Sequence, residues 1–204
     1  PLSRHTSELV MAEKPRSIVA EGFRSLRAGL PYISDQPIQT IMVTSFASGD
    51  GKTFNSINTS IMLAKTGKKT VLIGLDLRKP KIFDSFGVSN DFGASNVLIK
   101  DKSLNEVIHE TKVPNLDFIA SGPIPPNPNE LLLRGAFSEM MTELKSKYDY
   151  VIIDSPPVGL VSDGFELFKY SDALIFMIRH QKTPKLALDF FKDVLNKQLL
   201  SHVG

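Results

Sequence analysis

The residues best suited to chemistry sit in one short run, residues 45–54, which reads SFASGDGKTF. Gly51, Lys52 and Thr53 close the pattern of a phosphate-binding loop, GxxxxGK followed by Ser or Thr, but Phe46 stands where that pattern opens with glycine. Such a loop offers backbone N–H groups to an anion, a lysine to the terminal phosphates and a hydroxyl to a divalent metal. The candidate nucleotide-binding residues are therefore Ser48, Gly49, Asp50, Gly51, Lys52, Thr53 and Phe54. Gly49 and Gly51 permit close backbone approach, Lys52 supplies the cation and Thr53 the metal hydroxyl. The absent first glycine only has to turn the chain, so its loss leaves the anion site intact.

Two acidic residues fall where a metal ion would need them. Asp154 directly follows the apolar run Val151, Ile152, Ile153, and Asp76 follows another in VLIGLDLRKP. At the C-terminal ends of parallel strands both would face the loop. Thr53, Asp76 and Asp154 are the candidate Mg²⁺ residues, and Lys52, Asp76 and Asp154 the candidate catalytic residues. Arg78, Lys79 and Lys81 cluster beside them; for the two lysines a solvated turn is as good a reading as a functional one.

Elements must position these groups, and short β-rich runs alternating with helical patterns predict a parallel sheet covered on both faces. Strands are expected at 38–46, 69–75, 116–120, 150–154 and 173–178, and helices at 52–65, 130–147 and 162–169. A last helix is expected from Thr183-Pro184, with Leu186, Phe190 and Val194 on its buried face. Ahead of the first strand, residues 17–30 read as an amphipathic helix. Val19, Phe23, Leu26 and Leu30 share its apolar face, while Glu21, Arg24 and Arg27 form a charged stripe opposite. The expected organisation is an arm over residues 1–36 followed by one domain over 37–204.

Bulk composition narrows the function. The 24 basic and 22 acidic residues give no field that argues for nucleic acid. Zero cysteines exclude disulfides and thiolate metal sites, and the four histidines lack metal-ligand spacing. No run approaches membrane-spanning length and no secretory signal is visible; an opening without methionine reads as a fragment or a processed chain.

Taken together, these stretches resemble the catalytic domain of bacterial protein-tyrosine kinases, regulators of capsule and exopolysaccharide export. The likeness rests on SGDGKT, LDLRKP, VIIDSPP and SGPIPPNPNELL, and on Glu21-x-x-Arg24-x-x-Arg27. Ala47 stands where the related partition and septum-site ATPases carry a signature lysine. The resemblance implies a three-layer α/β/α P-loop NTPase fold that binds ATP and Mg²⁺ and phosphorylates tyrosines in the C-terminal tail of a neighbouring subunit. It further implies a ring assembled through Glu21, Arg24 and Arg27, beside a membrane export component, at the cytoplasmic face of the bacterial plasma membrane.

Two departures stand out. Gly74 takes the place of the first aspartate in the family's Asp-x-Asp pair, leaving Asp76 to serve both metal and proton transfer. Tyr32, Tyr148, Tyr150 and Tyr170 make no tyrosine-rich tail, so the substrate segment was removed, comes from another chain or never existed. Tyr148 and Tyr150 read as packing residues and Tyr32 as a regulatory candidate. Two other readings stay open: a partition-type ATPase, or a non-catalytic assembly module gated by nucleotide.

Overall fold

Apolar and β-branched runs form six strands in a computed structural model that describes residues 8–159 and 167–196. They are β1 (Thr40–Ser45), β2 (Thr70–Gly74), β3 (Ile108–Glu110), β4 (Leu116–Ile119), β5 (Tyr150–Asp154) and β6 (Ala173–Met177). The sheet order is β3-β4-β2-β5-β1-β6. All pairings are parallel except that of β3 with β4.

Alternation along each strand feeds two apolar layers. Met42, Val71, Ile73, Val151 and Ile153 point into one cluster, and Ile41, Val43, Leu72 and Ile152 into the other. A strand buried on both sides favours an unbroken apolar run, which is why the centres of β1, β2 and β5 are apolar and their polar residues fall at the ends. The first cluster is closed by α5 (Ala94–Leu98), α6 (Leu104–Val107), α7 (Pro128–Leu133) and α8 (Gly135–Lys147). The second is closed by α1 (Val10–Glu13), α2 (Ile18–Gly29), α3 (Lys52–Ala64) and α4 (Ile82–Phe86). Helix α9 (Leu186–Asn196) follows β6.

The N-terminal arm is stitched into this core. Ser17 caps α2 by accepting the Ala20 N–H at 3.2 Å, and Ala20, Phe23 and Leu30 are buried. The Asn58 side chain of α3 accepts the Met11 N–H and donates to the Glu8 carbonyl, both at 2.8 Å. Phe23 lies against Phe54, ring centroids 6.1 Å apart.

Several expectations need correction. Val19 is 48 % exposed, because the seam runs through Ala20 and Phe23. The helix expected at 130–147 is two: Arg134 adopts ψ 153°, an extended value that breaks the ladder between α7 and α8. The antiparallel β3 was not anticipated; three residues leave too little pattern to read. Thr183 does not start the last helix, since its hydroxyl accepts the Arg179 N–H at 2.8 Å and α9 begins at Leu186. Leu186 is exposed and Ala187 is buried in its place, while Phe190 packs against the core as expected. The helix expected at 162–169 falls mostly outside the described residues, as does the Val194 side chain. Among the described residues, no helix is long and apolar enough to cross a membrane.

Candidate functional site

The phosphate loop joins β1 to α3, and its conformation depends on glycine. Gly49 has φ 83° and Gly51, the N-cap of α3, has φ 103°, backbone regions that side chains disfavour. With these two turns made, Lys52 opens a 13-residue helix whose first amides lack intrahelical partners and face the loop.

Phe46 is accommodated from behind. Its carbonyl accepts the Gly159 N–H at 3.1 Å, and its ring meets Phe190 edge-on at 5.4 Å. A β-carbon at Gly159 would lie 2.5 Å from that ring, so Gly159 supplies the space that the loop's missing glycine would otherwise have left. Asp50 turns inward, is 4 % exposed, and accepts the Ala47 N–H at 3.3 Å across the loop. Its carboxylate therefore shapes the turn, and only its backbone is suited to a phosphate. Ser48 is exposed at the rim, and Phe54 is half-buried against α2.

The carboxylates converge as the strand order dictates. Asp154 ends β5, flanked in register by Val43 of β1 and Gly74 of β2. It accepts hydrogen bonds from Thr53 Oγ1 at 3.0 Å and Ser56 Oγ at 2.8 Å. Burial pushes its carboxyl up to about 6, against the downward pull of Ser56, Lys52 and Thr53. Asp76 accepts the N–H groups of Arg78 at 3.3 Å and Lys79 at 3.1 Å.

Lys52 is 7 % exposed, and burial lowers its ammonium pKa while Asp154, Asp76 and Asp50 raise it. Among the described residues no carboxylate comes within ion-pair distance of its Nζ. A buried cation held by carboxylates at longer range is placed to receive an anion.

These groups surround one cavity of about 240 Å³, lined by Ser48, Gly49, Gly51, Lys52, Thr53, Phe54, Asp76 and Asp154. A hydroxyl and two carboxylates suit a hard divalent cation that keeps several waters and takes phosphate oxygens. They do not make a closed protein cage: among the described residues no group of three or more His, Cys, Asp or Glu could hold a metal.

Other residues at the site escaped the sequence reading. Ser56 could have been found, since it stands one helical turn from Thr53 and bonds the same carboxylate. Glu8 and Ser121, which also line the cavity, arrive from distant segments. Arg179 Nη1 and Lys182 Nζ both donate to the Gly49 carbonyl, at 3.0 and 2.9 Å. No local motif announces them. Gly74 lies outside the left-handed region, yet a β-carbon there would meet Ser121 Oγ at 2.8 Å and Ile82 Cγ2 at 2.9 Å. Restoring an aspartate would thus crowd its neighbours, a steric cost in place of a conformational one.

Comparison with known proteins agrees with this fold. A family model described as AAA domain matches residues 38–189. The tyrosine-protein kinase YwqD of Bacillus subtilis (strain 168) is 35 % identical over 184 residues, 90 % of this chain and 78 % of that one. Among solved structures, the chimerical protein CapA2B2 superposes with a TM-score of 0.89 at 32 % identity, covering 95 % of this chain and 85 % of its own. The kinase domain of the Escherichia coli tyrosine kinase ETK gives 0.87 at 28 % identity, over 97 % and 79 %. The chain belongs to the bacterial tyrosine-protein kinase family within this α/β P-loop class. Longer relatives exist: it spans 24 % of the wzc kinase of Salmonella typhi.

Proposed function

We propose that the chain is an ATP- and Mg²⁺-dependent protein-tyrosine kinase domain serving capsular or exopolysaccharide synthesis and export. The observation that carries this reading is the buried Lys52 at the start of α3, facing a cavity shared with Asp76 and Asp154. The relatives support the acceptor, being named tyrosine-protein kinases, and one from Klebsiella pneumoniae is named for a cps region.

Bound Mg²⁺ would neutralise phosphate charge. The chain's own residues then have distinct roles. The loop amides and Lys52 hold the phosphates, while Thr53 and Asp154 fix the metal. Asp76, without a second carboxylate at position 74, helps hold the metal and takes the phenol proton as the tyrosine oxygen bonds to the terminal phosphorus and ADP leaves. Such transfer needs in-line placement and neutralised charge more than covalent help.

The acceptor tyrosine belongs to a neighbouring copy. Glu21, Arg24 and Arg27 of α2 form the contact of a homo-oligomeric ring, with a membrane export component alongside at the cytoplasmic face. The exposed Arg27 and the partly exposed Glu21–Arg24 pair at 2.5 Å are available for that contact.

Calorimetric titration with ATP tests the site. Lys52→Ala should lower affinity at least tenfold and abolish phosphotyrosine formation on a tyrosine-bearing partner; unchanged affinity would sink the assignment. Asp154→Asn should lose Mg²⁺ dependence and activity more than nucleotide affinity. Full activity in that variant would remove Asp154 from the metal.

A further inference from the structure

Ser121 follows β4 by two residues and is 1 % exposed. Its Oγ has no hydrogen-bond partner, although the residue lines the cavity of Lys52, Thr53, Asp76 and Asp154. A buried hydroxyl left unpaired costs about 1–3 kcal/mol, so native structures nearly always give it a partner.

Its backbone is braced. The Ser121 carbonyl accepts the Ser95 N–H at 2.9 Å. The next residue, Gly122, exchanges two bonds with the Asn90 side chain, at 2.9 and 2.8 Å. The hydroxyl is thereby held at the end of β2, 2.8 Å from where Gly74 would carry a β-carbon, and Gly74 is in register with Asp154. A glycine leaves that strand end without a polar side chain, and Ser121 fills the gap from the adjacent strand. Its oxygen can donate one hydrogen bond and accept others.

We infer that Ser121 is a positioning residue whose hydroxyl bonds a water in the shell of the divalent cation held by Thr53, Asp76 and Asp154. The inference rests on the phosphate-loop reading above. Small divalent cations keep several waters, and those waters need fixed partners if the metal is to sit in one place. A neutral hydroxyl beside two carboxylates provides one without adding charge.

The test measures ADP affinity by calorimetry, first with a chelator and then across a Mg²⁺ titration, in the parent and in Ser121→Ala. The chelator arm reports whether the loop is intact, and should agree within about twofold. The Mg²⁺ midpoint of the variant should move up by roughly five- to tenfold, the worth of one hydrogen bond. Equal midpoints would overturn the role, leaving a hydroxyl that serves no metal. An equal loss with and without Mg²⁺ would also overturn it, since Ser121 would then act on the nucleotide or the loop. A parent whose ADP affinity ignores Mg²⁺ would overturn the phosphate-loop reading as well.

Discussion

At the scale of residues, the site is built from charged groups that are costly to bury, even where hydrogen bonds offset part of that cost. Asp154 shows this most directly, with its carboxyl pushed up to about 6 by burial. The folded protein holds that proton more tightly than the unfolded chain does. Its contribution to stability is therefore fully present below about pH 4 and lost as pH rises through about 6, amounting to at most about 3 kcal/mol. Urea midpoints of the nucleotide-free protein should fall across that window. Asp154→Asn should flatten the component, and parallel pH profiles in parent and variant would refute it. Lys52, Thr53, Asp76 and Asp154 were legible in the sequence because each follows a strand or opens a helix, so local pattern fixes its place. Ser121 was not, because its role depends on the absence of a side chain at Gly74, a contact between β2 and the end of β4.

Elements decide how the loop tolerates its unusual start. Phe46 replaces a small residue, and the volume is recovered at Gly159 after β5 and at Phe190 on α9. Gly159→Ala should push Phe46 and with it the loop, because the added carbon would lie 2.5 Å from both the ring and the Phe46 carbonyl oxygen. Nucleotide affinity should drop about tenfold while the protein stays folded, as judged by calorimetry beside circular dichroism; an unchanged affinity would mean the loop is held elsewhere. The central strands were readable from their unbroken apolar runs, buried on both faces. The break between α7 and α8 was not, since the helical pattern continues across Arg134 and only its backbone angle ends the ladder. Val19 and Leu186 misled for a related reason: an apolar residue next to a buried stripe satisfies the period yet points to solvent.

For the whole molecule, the described part of the arm shares the core of the sheet, with Met11, Ala20, Phe23 and Leu30 in the same apolar cluster as Ile41 and Ile57. Within α2, Arg24 reaches the Pro15 carbonyl at 2.9 Å as well as Glu21, so part of the charged stripe already braces the arm. An exposed pair of this kind contributes only a few tenths of a kcal/mol within the helix. Arg24→Ala with Arg27→Ala should leave ATP affinity within about twofold and reduce oligomer mass in light scattering at high protein concentration. Equal mass in parent and variant, with the parent oligomeric, would make the stripe a solvated face.

In the proposed ring of subunits, the aromatic contact between Phe23 and Phe54 would couple self-association to nucleotide binding. Phe54 directly follows the Lys52–Thr53 pair, and Phe23 stands on the helix that carries Glu21, Arg24 and Arg27. By reciprocity, whatever factor nucleotide contributes to self-association, self-association returns to nucleotide affinity. Apparent ATP affinity of the parent should then depend on protein concentration, and Phe23→Leu should weaken that dependence while sparing affinity at high dilution. Isotherms of the parent that superimpose over a hundredfold range of protein would show the two equilibria to be independent.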